Sequence, residues 1–313
     1  MSNPTQKSGV AVLGIYVADL AFRAPKLPAL GQTIAGTGFA MGPGGKGSNQ
    51  AVAAARLGAK VSFISKIGQD AFGQSALALW RQEGITPLVQ VHAEQPTGAA
   101  FIYVHEHSGE NAIIVVSGAA TQLTAEDVER ERAAIESACV FVTQMEQPAS
   151  AALRGLEIAR ASGVTTIFNP APAQAFPEQI YGLCDFITPN EHEAALLTDI
   201  PVNTLDDARR AGDVLLARGV GCALITLGAQ GALLHSAQQS LHLLPMYAGP
   251  VLETAGAGDA FNGGFAAALA QGMTAEQAAH FATAVAAISV TRAGTAPAMP
   301  SHAEVLALLA SLS

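Results

Sequence analysis

The chain has 313 residues, half of them hydrophobic and 13% charged, which is enough for one large α/β domain with a small appendage and excludes a compositionally disordered protein. Its formal net charge is −9 and its 16 Lys and Arg residues are scattered, so no basic face exists to replace phosphate counterions and general nucleic-acid binding is excluded. An anionic nucleotide is still admissible, because backbone amides at a helix start can hold phosphate without side-chain charge.

The first eight residues are polar, with no apolar core of a secretory leader before the first strand-like run. No uninterrupted apolar stretch of about 18 residues follows, so no membrane span is expected. The three cysteines, Cys139, Cys184 and Cys222, are far apart, match no metal spacing and read as buried thiols in a reducing, cytoplasmic setting.

A strand-like run over Val10–Val17 is followed by no helix; Gly31–Gly42 is extended and glycine-rich instead. The helix Ser48–Leu57, the strand Lys60–Ile67 and the helix Ala71–Glu83 come next. Thr97–Val104 and Asn111–Ser117 then read as a hairpin around the polar turn His105–Glu110. Further strands are expected at Val140–Thr143, Val164–Asn169, Phe186–Thr188, Ala223–Leu227 and Ala232–His235, with helices at Ala149–Ala161 and Leu205–Arg218. The C-terminal third is helical over Asp259–Gln271, Ala275–Val290 and Ala303–Leu312. Strand–helix–strand alternation implies parallel strands joined by crossover helices, hence a three-layer α/β/α sandwich with a mostly parallel central sheet. The two insertions, about 16–43 and 95–118, would form a small β-sheet lid that keeps water from a reaction. The chain reads as a single domain, 1–313.

Chemistry concentrates in two glycine-rich segments. In Glu253-Thr-Ala-Gly-Ala-Gly-Asp-Ala-Phe-Asn-Gly-Gly-Phe265, a tight turn at Gly256, Ala257 and Gly258 runs into a helix. Small residues let the amides approach a ligand, and the helix start adds partial positive charge. Asp259 on that first turn is either an ordinary cap or a base able to take a proton from a hydroxyl beside a transferring phosphoryl group. The second segment is Gly42-Pro-Gly-Gly-Lys-Gly-Ser-Asn-Gln50. It is not a Walker A loop, since position 40 is Ala and position 47 is Gly, and no dinucleotide GxGxxG follows the first strand. Trp80 reads as core, and His105 and His107 as part of a solvated turn rather than metal ligands. Glu191 and His192 read as solvent-facing.

Taken with Thr143-Gln-Met-Glu-Gln-Pro148, Asn169-Pro-Ala-Pro-Ala173, Thr188-Pro-Asn-Glu-His-Glu193 and Ile225-Thr-Leu-Gly-Ala-Gln-Gly231, in that order, these segments resemble the ribokinase-like (PfkB-type) carbohydrate kinases over essentially the whole chain. The resemblance implies an ATP-dependent kinase that phosphorylates a primary hydroxyl of a pentose, with Asp259 as catalytic base and Gly256, Ala257 and Gly258 as anion hole. It assigns Asp19, Gly45, Lys46, Asn49 and Glu146 to the sugar. It assigns Asn190, Thr226, Gly228, Gly231 and Thr283 to ATP, with Asn262 near the nucleotide. Glu193 would organise Mg²⁺ through water. A homodimer formed through the lid is also implied.

Two positions depart from the pattern. Val17 stands where such kinases usually carry Asn, which opens 2-deoxyribose or another pentose as acceptor. Other sugars and nucleosides stay open as alternatives, as does a non-catalytic sensor. A monovalent-cation (K⁺) site in the family draws on an Asp where this chain has Glu253 and on a Ser where it has Ala298, which weakens the expectation of K⁺ here.

Overall fold

The computed structural model describes residues 7–312; most of the polar N-terminal stretch, 1–6, lies outside them. Among the described residues thirteen strands are formed: β1 (Val10–Leu13), β2 (Val17–Ala24), β3 (Gly38–Gly44), β4 (Val61–Gly68), β5 (Thr86–His92), β6 (Thr97–His105), β7 (Asn111–Gly118), β8 (Val140–Thr143), β9 (Thr165–Phe168), β10 (Phe186–Ile187), β11 (Cys222–Thr226), β12 (Ala232–Ser236) and β13 (Ser240–Leu243). Nine of them make one sheet in the order β13-β12-β11-β10-β9-β8-β1-β4-β5. It is parallel from β5 to β11 and antiparallel at β12 and β13. The remaining four form a smaller sheet, β3-β2-β6-β7.

Side chains alternate across the large sheet as strand geometry requires. Val10 and Val12 face one core with Phe63, Trp80 and Phe265, while Ala11 and Leu13 face a second with Phe141, Phe168 and Ile225. Helices cover both faces, giving the three-layer α/β fold with a smaller sheet. Trp80 is fully buried and its indole N–H donates to Ser48 Oγ at 3.0 Å, in agreement with its reading as core. Cys184 and Cys222 are buried, and Cys139 is partly so.

The run Val10–Val17 is not one strand. The backbone leaves the large sheet after Leu13 and re-enters pairing at Val17, in the small sheet, where β2 runs antiparallel to β3 and parallel to β6. Gly14 makes this exit possible: a Cβ there would lie 2.7 Å from Gly47 Cα and 2.5 Å from Gln144 Oε1. Two strands absent from the sequence reading, β5 and β13, are the edges of the large sheet. Pro87 breaks the pattern of β5, and an edge tolerates it because one face of the ladder needs no donor.

Helix Lys46–Arg56 packs directly on helix Ala257–Ala270. A Cβ on Gly263 would sit 2.5 Å from both Ala53 Cβ and the backbone oxygen of Gln50. We predict that Gly263→Val pushes the two helices apart and costs about 1–3 kcal/mol, the usual size of overpacking. A melting temperature lowered by several degrees is expected; an unchanged melting curve would show that the helices separate freely.

Candidate active site

The candidate residues gather at the carboxyl ends of the parallel strands. Gly14 follows β1, Gln144 follows β8, Asn169 follows β9, Thr188 follows β10, and Thr226 closes β11. The chain passes from β1 to β4 on one side and later returns to β8 on the other. The crevice beside β1 is therefore a switch point in strand order, the place where open α/β sheets bind ligands. The small sheet delivers its own residues to the same edge, since β3 ends at Gly44 and runs straight into the helix beginning at Lys46.

Asp259 lies on the first turn of the helix Ala257–Ala270, only 6% exposed. Gly256 precedes that helix in the left-handed conformation (φ 76°), and no side chain caps the helix start. Its first amides are thus free of a competing side-chain acceptor. Gly258 has open space where a Cβ would be, while Gly256 packs against Thr295. The Asp259 carboxylate accepts from Asn49 Nδ2 on Oδ2 and from Gln50 Nε2 on Oδ1, both at 3.0 Å. Burial raises its pKa above the ordinary carboxylate value, against the opposing pull of Lys46, Asn49 and Gln50.

Asp19 stands on β2 opposite Gly42 of β3, and its carboxylate fills the space beside Gly44, where a Cβ would lie 2.4 Å from it. Gly45 (φ 88°) presses against the backbone of Ile15, closer than a Cβ would allow. The Lys46 amide donates to Glu146 Oε2 at 2.7 Å. Burial, with Asp259 and Glu253 adding, pushes Asp19 up to about 6. Burial pushes Glu146 up to about 7, with Lys46 opposing and Asp259 and Asp19 adding. Burial alone would lower Lys46, yet the charges of Asp259, Glu146 and Glu193 hold it above its ordinary value. One ammonium therefore lies among several carboxylates whose pKa values burial raises. Asn49 Oδ1 is buried without a hydrogen-bond partner, which leaves an acceptor for a polar ligand.

Asn190 caps the helix Glu191–Thr198. Its Oδ1 accepts from the Glu193 amide at 2.8 Å, and Glu193 Oε2 accepts from the Asn190 amide at 2.9 Å. Asn190 also forms a parallel bridge with Thr226. His192 beside it is exposed, and Glu191 partly so. Gly228 (φ 52°) and Gly231 (φ 91°) bound the turn after Thr226, and a Cβ on Gly231 would overlap the backbone oxygen of Leu243. The Thr283 hydroxyl donates to Ala279 O of its own helix at 3.0 Å, which uses its one proton and leaves only acceptor capacity. Glu253 Oε2 accepts from the Gly294 amide at 2.8 Å, which fastens the loop before the Gly256 turn to the loop after helix Ala275–Ser289.

No group of three or more His, Cys, Asp or Glu among the described residues is placed to hold a bare metal ion; His105 closes β6, half-buried, and His107 sits in the exposed turn that follows. Glu193 offers one carboxylate oxygen beyond its cap. That sparse oxygen set fits a hydrated Mg²⁺ that takes its remaining ligands from phosphates and water.

The sequence reading missed Gln50, Gln144 and Thr188 as members of the site, and placed Asn262 at the nucleotide. All four are buried polar residues in a connected hydrogen-bond system with Asn169. The available signal was positional: Gln144, Asn169 and Thr188 each directly follow a short apolar strand.

Residues 7–302 match the model of the pfkB family of carbohydrate kinases. The chain is 39% identical over 301 residues to a ribokinase of Haemophilus influenzae, covering 96% of this chain and 98% of that one. It is 35% identical over 294 residues to a deoxyribokinase of Salmonella typhi, covering 93% and 95%. Its structure is similar to that of an Arabidopsis thaliana ribokinase complexed with ribose and ATP, with a TM-score of 0.91 at 29% identity, covering 97% of this chain and 99% of that one.

The raised carboxylates carry a stability consequence. Asp19 and Glu146 hold their protons more tightly folded than unfolded, so the stability they contribute is present below about pH 4 and is lost as pH rises through about 6 to 7. Glu146→Gln removes one such group. The ligand-free variant should melt several degrees above the parent at pH 8, with the gap closing at pH 5. A variant that melts lower at pH 8 would mean that ionised Glu146 is a net stabiliser through its bond to the Lys46 amide.

Proposed function

The chain belongs to the pfkB family of carbohydrate kinases, and we propose that it transfers the γ-phosphoryl group of ATP to the primary hydroxyl of a pentose with Asp259 as general base. The observation that carries this reading is the buried Asp259 carboxylate on the first turn of an uncapped, glycine-led helix, with Lys46 nearby. A base must reach the hydroxyl proton while donors meet the charge on the transferring group. The start of one helix supplies both.

In the proposed step the acceptor hydroxyl gives its proton to Asp259 as its oxygen forms a bond to the γ-phosphorus. The bond from that phosphorus to the bridging oxygen breaks, and ADP leaves with the electron pair. The Gly256–Gly258 turn holds the phosphoryl oxygens. Asp19, Asn49 and Glu146, with Gly45 and Lys46, hold the sugar, because carboxylates and amides bind vicinal hydroxyls in pairs. Asn190, Thr226, Gly228 and Gly231 line the nucleotide side, with Thr283 behind them. Mg²⁺ held through water by Glu193 would neutralise phosphate charge. The small sheet acts as the lid, since Asp19 on β2 and Gly44–Gly45 at the end of β3 both belong to the sugar side. Excluding water matters because water is a competing acceptor of the same phosphoryl group.

A second acceptor, a 2-deoxypentose, is favoured by Val17. This side chain is buried at the start of β2, two residues from Asp19, and abuts Gly98, where a Cβ would lie 2.8 Å from Val17 Cγ1. It offers no donor or acceptor to a sugar hydroxyl, and the Salmonella typhi relative is a deoxyribokinase. The small sheet also exposes Phe39, Met41, Ile114 and Val116. An apolar sheet face of this kind supports a homodimer through the lid; a monomeric mass by sedimentation equilibrium would remove that element. No helix among the described residues is long and apolar enough to cross a membrane.

Pentose-dependent ADP release, measured with MgATP and with ribose and 2-deoxyribose in parallel, tests the reading. Both the parent and Asp259→Asn should bind ATP, and the variant should lose about 10²–10⁴-fold in kcat, the usual size of a general-base effect. A variant with near-parent kcat would remove Asp259 from the role. A strong preference for ribose would argue against the 2-deoxypentose.

A further inference from the structure

The side chains around Asp259 close into a ring. Gln50 Nε2 donates to Asp259 Oδ1 at 3.0 Å and also to Asn169 Oδ1 at 3.2 Å. Asn169 Nδ2 donates to the backbone oxygen of Thr188 at 2.8 Å. The Thr188 hydroxyl donates to Asn262 Oδ1 at 2.6 Å. Asn262 Nδ2 donates to the backbone oxygen of Gly258 at 2.8 Å, one residue before Asp259. Gln144 Nε2 feeds in from the side, donating to Gln50 Oε1 at 2.7 Å. Every side chain of the ring is buried.

The direction of this ring is set by chemistry. An ionised carboxylate only accepts, so the Gln50 amide must turn its NH₂ to Asp259, which leaves its carbonyl for Gln144. Hydrogen bonds in a buried chain polarise one another, and a donor to a charged group is stronger than a neutral pair. The ring joins two strand ends (β9 and β10), and through Gln144 a third (β8), to two helices, so the carboxylate and the glycine-led helix start are held as one body. Oδ1 is thus taken by Gln50, while Oδ2 accepts from Asn49, whose own Oδ1 has no protein partner.

Resting on the reading of Asp259 as the base, we propose that Gln50 is a positioning residue of the phosphoryl transfer: through the ring with Asn169, Thr188 and Asn262 it fixes the orientation of the Asp259 carboxylate, whose Oδ1 it holds while Asn49 holds Oδ2. Gln50 need not touch the sugar for this role. The charged groups that face Asp259 are Lys46, which lowers its pKa, and Asp19, Glu146 and Glu193, which share its field. None of them is altered by a change at Gln50.

Gln50→Met keeps length and volume but removes the donor. The full-length variant should lose about 10- to 100-fold in kcat, the size expected for a bond to a charged group, with KM for ATP and pentose within about threefold of the parent. The acid limb of its kcat–pH profile should move up by about one pH unit, because the carboxylate loses a donor that favours its ionised form. Thr188→Val, which opens the ring at a distance from the sugar side, should move the same limb in the same direction with a smaller loss, and it serves if Gln50→Met does not fold. Parent-like kcat and pH limb in either folded variant would overturn the proposal, as would a lowered melting temperature with no change in the limb. Asp259→Asn measured beside them separates the two failures. If it is inactive while Gln50→Met is parent-like, only the ring proposal falls; if it retains activity, the base assignment falls and the proposal with it.

Discussion

A carboxylate removed from water must be repaid by charge or by hydrogen bonds, or it stays protonated. Asp259 sits under that constraint, and most of the surrounding architecture follows from it. Its two oxygens are met by two side-chain amides on consecutive residues of one helix, Asn49 and Gln50, and the Lys46 ammonium from that same helix supplies the charge. For those three residues to reach it, helix Lys46–Arg56 must lie hard against helix Ala257–Ala270. Gly263 and Ala53 leave the space for that contact. The compensation is incomplete, so the carboxylate remains a better proton acceptor than a solvated one, which is what a base for a sugar hydroxyl requires.

Around that pair of helices the fold acts as a converging device. Parallel strands end in short polar residues at one edge, and the switch in strand order beside β1 opens the crevice there. The small sheet grows out of the same edge, since the chain passes from β1 through β2 and β3 into helix Lys46–Arg56, whose Asn49 and Gln50 bond Asp259. The acceptor side and the phosphoryl side are thereby joined by covalent continuity as well as by contact. Thr295 adds a further link: its hydroxyl donates to the backbone oxygen of Pro43, and its side chain packs on Gly256.

The α/β layering was legible because helices such as Ala149–Ala161 and Leu205–Ala217 and strands such as Val140–Thr143 carry strong local patterns of their own. The hairpin of β6 and β7 was legible for the same reason. The division of Val10–Val17 between two sheets was not. Both halves are apolar, and the break at Gly14 arises from close contact with Gly47, far away in sequence. The edge strands β5 and β13 escaped because edges relax the composition of a strand. Motif residues such as Asp19, Lys46 and Asn49 were identified by their resemblance to a family, and the structure brings them near Asp259. Gln50 and Thr188 lay inside the quoted motifs, yet local sequence says nothing of a ring closed across more than 200 residues of chain. Thr283 was assigned to the nucleotide by the same resemblance; its hydroxyl donates within its own helix, to Ala279 O.

The position of the new phosphate on the product tests the account most directly. Full-length protein incubated with MgATP and a pentose should yield a sugar phosphorylated at its primary hydroxyl, visible by ³¹P NMR as a phosphate coupled to a methylene group. A 5-deoxypentose lacking that hydroxyl should give no product. Phosphate on a secondary hydroxyl, or turnover of the 5-deoxypentose, would contradict it.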